Sequence, residues 1–401
     1  MESARTRGGA LLLMVAVVVV ALNQRPAVVG VAPVLGALRA DTGLSSALAG
    51  LLTSLPVLCF GAFAPVAPRV ARRVGLETAV AASLVLLVAG TALRLLSPVA
   101  VLYAGTVVAG GAIAVANVLV PAYVKREFAR PGLPMGLYSA ALNVGAALAA
   151  GLTVPVGAAL GLDWRGALAV WGALAVLGLA VWLPVAGTGR DDRGAPAAPG
   201  GSWGLLRHAT ARQATIYLGL QSIQFYGLSA WLPTLLADEG LPVEAGGALL
   251  AVATVAGAVG AFVAPTLAGA LQQRHRGQRS LVAAVVAGYL VGLAGLLLAP
   301  TTGTVVWVVL FGVAQGGGFA LGLTLVVLRS ATPLTAARLG GVAQCLGYLF
   351  AALGPVVLGA LHDLTGGWSW SLGLLLALLV PLAWSGWGAA RDVVLPEPSR
   401  A

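Results

Sequence analysis

Twelve apolar runs, each long enough to cross a lipid bilayer as a helix, dominate this 401-residue sequence. They lie near 10–38, 45–67, 78–96, 99–123, 135–158, 166–186, 214–236, 245–270, 280–299, 304–328, 339–361 and 369–388. A helix needs about 20 apolar residues to span the hydrocarbon core, whereas a membrane strand needs only about ten, alternating in polarity. Because lipid offers no partner for a backbone N–H or C=O, each run must satisfy its own, which selects the helix. Arg5 and Arg7 precede the first run as they would in a cleaved leader, but the run is too long and eleven more follow. The chain is 59% hydrophobic and 9% charged, against about 25% charged for a soluble domain. Cys59 and Cys345 both fall inside apolar runs, so no disulfide framework is expected. The formal net charge of +10 does not speak for nucleic acid, because the charges punctuate the runs instead of forming a basic face.

Those charges predict the topology. Arg39, Arg94 and Arg165 fall in one set of alternate loops, and Arg25 lies within the first run. All others of the 23 Lys+Arg fall in the loops on the side of the termini. Basic loops face the cytoplasm, so both termini are expected there, in a multi-pass protein of the cell membrane. The polar, Gly/Pro-rich stretch 188–213 reads as a cytoplasmic linker between residues 1–187 and 214–401, six spans on each side. Within it, Trp203, Leu205 and Leu206 beside Arg207 suggest a short interfacial helix. The halves echo each other: Gly61-Ala62-Phe63-Ala64-Pro65 closes the second span and Gly260-Ala261-Phe262-Val263-Ala264-Pro265 the eighth, each followed by basic residues. A repeat at half the chain length is the mark of a transporter built from two related bundles, with the site near mid-membrane. The expected fold is therefore all-α and integral to the membrane, with twelve transmembrane helices in two pseudo-symmetric six-helix bundles.

One charge lies in the middle of a run. Arg25 follows Asn23 and Gln24 and precedes Pro26 near the centre of the first span. Placing an arginine there costs roughly 2.5–3.5 kcal/mol on insertion scales, which makes a functional role the default reading. None of the 13 Asp+Glu lies inside an apolar run, so Arg25 is expected to receive an anion. The structural alternative is that its guanidinium serves backbone carbonyls released by Pro26.

The loop after the second span resembles the signature of the major facilitator superfamily, Gly-x-Leu-Ala-Asp-Arg-x-Gly-Arg-Arg. Here it reads Ala64-Pro65-Val66-Ala67-Pro68-Arg69-Val70-Ala71-Arg72-Arg73, with Pro68 at the position of the acid. The resemblance implies a gating loop carrying Arg69, Arg72 and Arg73. Other stretches are similar to one branch, the cyanate/2-nitroimidazole transporters: Asn23-Gln24-Arg25-Pro26, Leu51 to Val57, Asn117-Val118-Leu119-Val120-Pro121, Trp231-Leu232-Pro233-Thr234, Gln344 to Tyr348, Gly354-Pro355 and His362-Asp363. That branch implies alternating-access transport of a small anionic or polar solute. A proton-coupled drug exporter of the same fold is the alternative.

Further cavity candidates are polar residues within spans. Tyr217, Gln221, Gln224 and Trp231 recur at helical spacing on the seventh span, Gln344 and Tyr348 on the eleventh, with Gln315 on the tenth. Asn117 and Asn143 lie on the fourth and fifth. Together with Arg25 and Asn23 these form the expected substrate-binding set, with Gln221, Gln224 and Tyr348 orienting the solute opposite Arg25. Interhelical hydrogen bonding is the competing role for each. Gly288/Gly292, Gly312/Gly316 and Gly318/Gly322 have the small-xxx-small spacing of close helix contacts. An enzyme is disfavoured: His208, His275 and His362 lie at loops or span ends and no acid lies at depth, so no catalytic, metal or cofactor residues are expected. The chain is expected to work as a monomer whose partners are a small-molecule solute and the bilayer.

Overall fold

The computed structural model describes residues 7–44, 46–187 and 203–395, so most of the linker expected at 188–213 lies outside the described residues. The first run comprises α1 (Arg7–Asn23), α2 (Pro26–Val29) and α3 (Val31–Thr42). The second comprises α4 (Ser46–Phe63), a 3₁₀ turn Ala64–Val66 and α5 (Ala67–Val74). Then follow α6 (Leu76–Leu93), α7 (Val99–Glu127), α8 (Gly132–Ala159) and α9 (Trp164–Gly187). After a 3₁₀ turn at Trp203–Arg207 come α10 (Ala209–Asp238), α11 (Val243–Gln273), α12 (Arg279–Leu298) and α13 (Thr304–Leu328). The chain ends with α14 (Pro333–Ala351), α15 (Leu353–Thr365) and α16 (Ser369–Ala389). Among the described residues, eleven helical stretches are apolar and long enough to cross a membrane. The remaining run is α10, whose 30 residues include Arg212, Gln213, Gln221 and Gln224.

Two compact units divide the chain. One contains Met1–Val124 with Val144–Pro196, the other Lys125–Asn143 with Ala197–Ala401. The split differs from a simple halving at the linker because Lys125–Asn143 groups with the second unit. Glycines explain that grouping: a Cβ at Gly132 would lie 2.7 Å from the Gly269 Cα, and one at Gly136 would lie 2.7 Å from the Phe262 carbonyl oxygen.

Each unit carries a version of the same clamp. In the first, Asp41 near the end of α3 accepts from the Trp164 indole (3.2 Å) and from Arg165 Nη1 (2.6 Å) at the start of α9. In the second, Asp238 at the end of α10 accepts from the Trp368 indole (2.8 Å) just before α16. His362 lies 3.5 Å from the same carboxylate and stacks on Trp368. This pairing extends the internal repeat to the ends of the bundles. The Pro-containing echo differs in form. Pro65 and Pro68 together interrupt the first copy with a 3₁₀ turn, while Pro265 alone stays inside the continuous α11. Arg69, Arg72 and Arg73 consequently sit on the short helix α5, not on a loop. Its proline at the first turn suits a helix start, where the missing N–H would have no partner in any case.

Within the second unit the spaced glycines bring backbones together. Gly312 and Gly316 of α13 abut the carbonyls of Ala253 and Gly257 on α11, and Gly292 lies against Trp307 and Phe311. A side chain at Gly316 would overlap the Gly257 carbonyl. Gly316→Ala should therefore lower the melting temperature of the purified protein, by an overpacking cost of about 1–3 kcal/mol. Gly151→Ala, at a helical position with open space around the added carbon, should not. Thermal melts of the two variants in one detergent check the pair.

Candidate substrate site

The first span breaks where the sequence places its charge. α1 ends at Asn23, Gln24 and Arg25 form a turn, and Pro26 opens α2. Proline has no N–H to give the Leu22 carbonyl four residues back, so that oxygen is released. Gly145 of α8 packs directly on it, at a distance that leaves no room for a Cβ. A second carbonyl, that of Ala27, accepts from Arg94 Nη1 at 2.5 Å. On the other side of the break, Gly30 sits beside Thr153 and Trp171, whose hydroxyl and indole are bonded to each other at 2.9 Å. The break is thus enclosed by α6, α8 and α9 within one unit, the setting in which irregular backbone is tolerated at membrane depth.

Arg25 is the N-cap residue of α2 and is half-buried. It engages other groups of the protein. Asn23 is buried; its Nδ2 donates to the Val19 carbonyl at 2.8 Å, and its Oδ1 has no donor among the described residues. Gly178 of α9 allows that close approach, since a Cβ there would lie 2.6 Å from Asn23 Nδ2. Asn117 is buried midway along α7.

The candidates of the second unit separate into groups. Gln315 and Asn143 come together at Gly257: a Cβ on that glycine would lie 3.1 Å from Gln315 Oε1 and 3.8 Å from Asn143 Oδ1. Gln344 and Tyr348 are buried on α14, with the Tyr348 ring edge-on to Tyr226 of α10 at 6.4 Å. The face of α10 that carries Tyr217, Gln221, Gln224 and Trp231 packs on neighbouring helices. Tyr217 touches Gly322 of α13 and Gly386 of α16. Gln224 Nε2 donates to the Leu375 carbonyl of α16 at 2.8 Å. The Trp231 indole donates to the Pro355 carbonyl of α15 at 2.7 Å, and its ring fills the space left by Gly359. Among the described residues Gln221 donates within its own turn, to the Leu218 carbonyl and the Ser222 hydroxyl. Both glutamines retain a buried amide oxygen with no donor among the described residues.

Three buried arginines escaped the sequence reading: Arg94, Arg329 and Arg338 of α14. Arg94, counted as a loop charge, is 2% exposed. Arg329 is fully buried and holds the chain's end: it bonds Asp392 at 3.2 Å and Gln278, while its carbonyl accepts from the Leu395 N–H at 2.7 Å. Hydrogen bonds from Gln272 and then Arg329 keep the Asp392 carboxyl below its ordinary range. At the very end of the 78–96 run Arg94 groups with the loop that follows, and nothing in the sequence tells that its side chain turns inward. Among the described residues no group of three His, Cys, Asp or Glu could hold a metal ion.

An all-helical membrane fold with a charged break in its first span defines a class, the multi-pass membrane transporters of small solutes. Comparison with known proteins gives the family: residues 13–355 match the model of the Major Facilitator Superfamily, and the chain belongs to it. It is 36% identical to the 2-nitroimidazole transporter of Escherichia coli over 384 residues, covering 95% of this chain and 96% of that protein. It is equally similar, at 36% over 382 residues, to the transporter YycB of Bacillus subtilis, covering 95% and 94%. With the cyanate transport protein CynX of Escherichia coli it shares 31% over 358 residues, covering 89% and 91%. The fold matches that of the xylose symporter XylE (TM-score 0.73, 12% identity, 94% of each chain) and of FucP in its outward conformation (TM-score 0.69, 12% identity, 92% and 97%). The relatives and the structural neighbours are transporters, not enzymes.

Gln221 and Gln224, expected as a pair of cavity groups, have different partners, and their substitutions should differ. Gln224→Ala loses a bond between helices, worth about 0.6 kcal/mol on average in membranes, and should lower the melting temperature. Gln221→Ala loses contacts confined to one helical turn and should leave it nearly unchanged. Thermal melts of both variants without solute distinguish them, and equal shifts would contradict the assignment.

Proposed function

We propose that this transporter carries a small anionic or polar solute, cyanate-like or nitroimidazole-like, by alternating access, and that Arg25 is the anion-binding residue. The observation that carries the reading is the place of Arg25: a guanidinium at the break of the first span, where helix ends and irregular backbone line transporter sites. Guanidinium stays protonated in proteins, so the charge is present in every conformation. The solute then replaces whatever Arg25 engages in its absence. Asn23, two residues before it and with an amide oxygen that has no donor among the described residues, is a neutral group for a solute N–H or hydroxyl. The similarity to the 2-nitroimidazole and cyanate transport proteins supports a small polar or anionic solute. Gln315 with Asn143, and Gln344 with Tyr348, supply the polar groups of the second unit in this reading. The distribution of basic residues supports cytoplasmic termini in the cell membrane. A monomer is the working unit.

Arg25→Ala should abolish transport in a protein that still melts cooperatively. Arg25→Lys, which keeps the charge but loses the planar two-point geometry, should retain weakened binding. Uptake of labelled cyanate into cells expressing each variant checks both, and near-normal uptake by Arg25→Ala would refute the role.

The same chemistry bears on coupling. A proton carrier normally requires a titratable Asp, Glu or His at membrane depth; the acids of this chain lie outside its apolar runs, and the buried Glu77 stands in the first turn of α6, at the end of its span. Of the carboxylates that could reach an outer vestibule, the Asp363 side chain lies outside the described residues. Asp41 is held below its ordinary range, first by the hydrogen bond from Arg165 and then by that from Trp164. A depressed carboxyl stays ionised until the pH falls through its lowered pKa, so Asp41 takes up no proton near neutrality. Facilitated or exchange transport follows. In reconstituted vesicles containing a pH-sensitive dye, solute entry should move no stoichiometric proton beyond that explained by the solute's own ionisation. A proton flux abolished by mutating one carboxylate would favour the drug-exporter reading.

A further inference from the structure

Arg94 is a second cation buried in the first unit. It is the residue after α6, yet its side chain turns back into the bundle and is 2% exposed. Its stem passes over Gly105 of α7, where a Cβ would lie 3.2 Å from Arg94 Cγ and 2.6 Å from the Gly90 carbonyl oxygen. That glycine is what makes room for the arginine. At the far end, Nη1 donates to the Ala27 carbonyl at 2.5 Å. Nε and Nη2 have no acceptor among the described residues. Among the described residues no carboxylate forms an ion pair with the guanidinium.

The two unmatched donors are adjacent. In a guanidinium, the N–H bonds of Nε and Nη2 lie parallel along one edge, the fork that accepts two oxygens of a planar oxyanion. With Nη1 fixed by the Ala27 carbonyl, the plane of the group is set and this edge is the one left for a ligand. A buried cation without a counter-charge is costly, and an anion on that edge would supply both the charge and the two acceptors.

We propose that the Nε–Nη2 edge of Arg94 is a second anion site, separate from Arg25, that takes a small planar monovalent oxyanion of the size of nitrate. Burial limits it to ions that shed their water readily, and two-point bonding ranks a planar oxyanion above a halide. Occupancy also ties α6 to the break of the first span, because the same guanidinium holds the Ala27 carbonyl. The site does not depend on Arg25 being the solute contact.

The test uses the full-length purified protein in detergent, with sodium nitrate, sodium chloride and sodium gluconate compared at equal ionic strength. A ligand bound by the folded state alone raises the melting temperature by mass action. Nitrate should raise it most, chloride less and gluconate not at all, and Arg25→Gln, which removes the other anion contact, should keep a nitrate response. In that background Arg94→Gln should lose the nitrate response. If that variant does not fold, Arg94→Lys in the same background keeps the charge and stem without the paired edge, and its apparent nitrate affinity should fall at least ten-fold. Equal responses to nitrate and gluconate in the wild-type protein would overturn the proposal. So would a response in the Arg25→Gln background that survives Arg94→Gln, an unchanged affinity with Arg94→Lys, or a response lost on Arg25→Gln alone, the last of which would assign the anion to Arg25 instead.

Discussion

A helix can break inside a bilayer only if other protein groups take over the hydrogen bonds it releases. The first span of this protein breaks at Gln24 and Arg25 because Pro26 has no N–H for the Leu22 carbonyl. The surrounding helices are fitted to that break. Gly145 of α8 lies on the Leu22 carbonyl, Arg94 donates to the Ala27 carbonyl, and Gly178 of α9 makes space for Asn23. Each is a small or donor-bearing residue at the one position where a larger or neutral one would not serve. Arg25 then occupies the corner of a broken helix, half-buried and in contact with other groups of the protein. The function proposed for Arg25 thus depends on a packing arrangement made by residues far from it in sequence.

Much of this architecture was legible in the residues. Run length and apolar content identify the helices because lipid leaves the backbone no other solution. The small-xxx-small pairs identified close contacts because only glycine lets backbones meet, as Gly312 and Gly316 do against Ala253 and Gly257. The break at Arg25–Pro26 was equally open to reading, since proline and a charge at mid-span leave few alternatives. The clamps at Asp41 and Asp238 were less so. Their partners, Trp164 with Arg165 and Trp368, lie more than a hundred residues away, and periodicity carries no information about such pairs.

Side-chain direction was the part the sequence withheld. Arg94 reads as a loop charge because it stands one residue beyond α6, but a long flexible stem lets it turn inward along Gly105. Arg329 reads as one of several basic residues between two spans, yet it is buried with Asp392 of the chain's end. On α10, the spacing of Gln221, Gln224 and Trp231 identified a shared face and not what that face meets. Gln224 and Trp231 reach carbonyls of α16 and α15, so the polar groups of this face also serve helix packing. A polar residue in a span has two competing uses, and periodicity is the same for both.

The central claim is that the solute's charge meets the guanidinium at the break of the first span. An experimental structure of the protein with cyanate or a nitroimidazole bound tests it most directly. The account predicts ligand density with an electronegative atom about 2.7–2.9 Å from a guanidinium nitrogen of Arg25. Density confined to the polar groups of α10, α13 and α14, with Arg25 in contact only with protein, would contradict it.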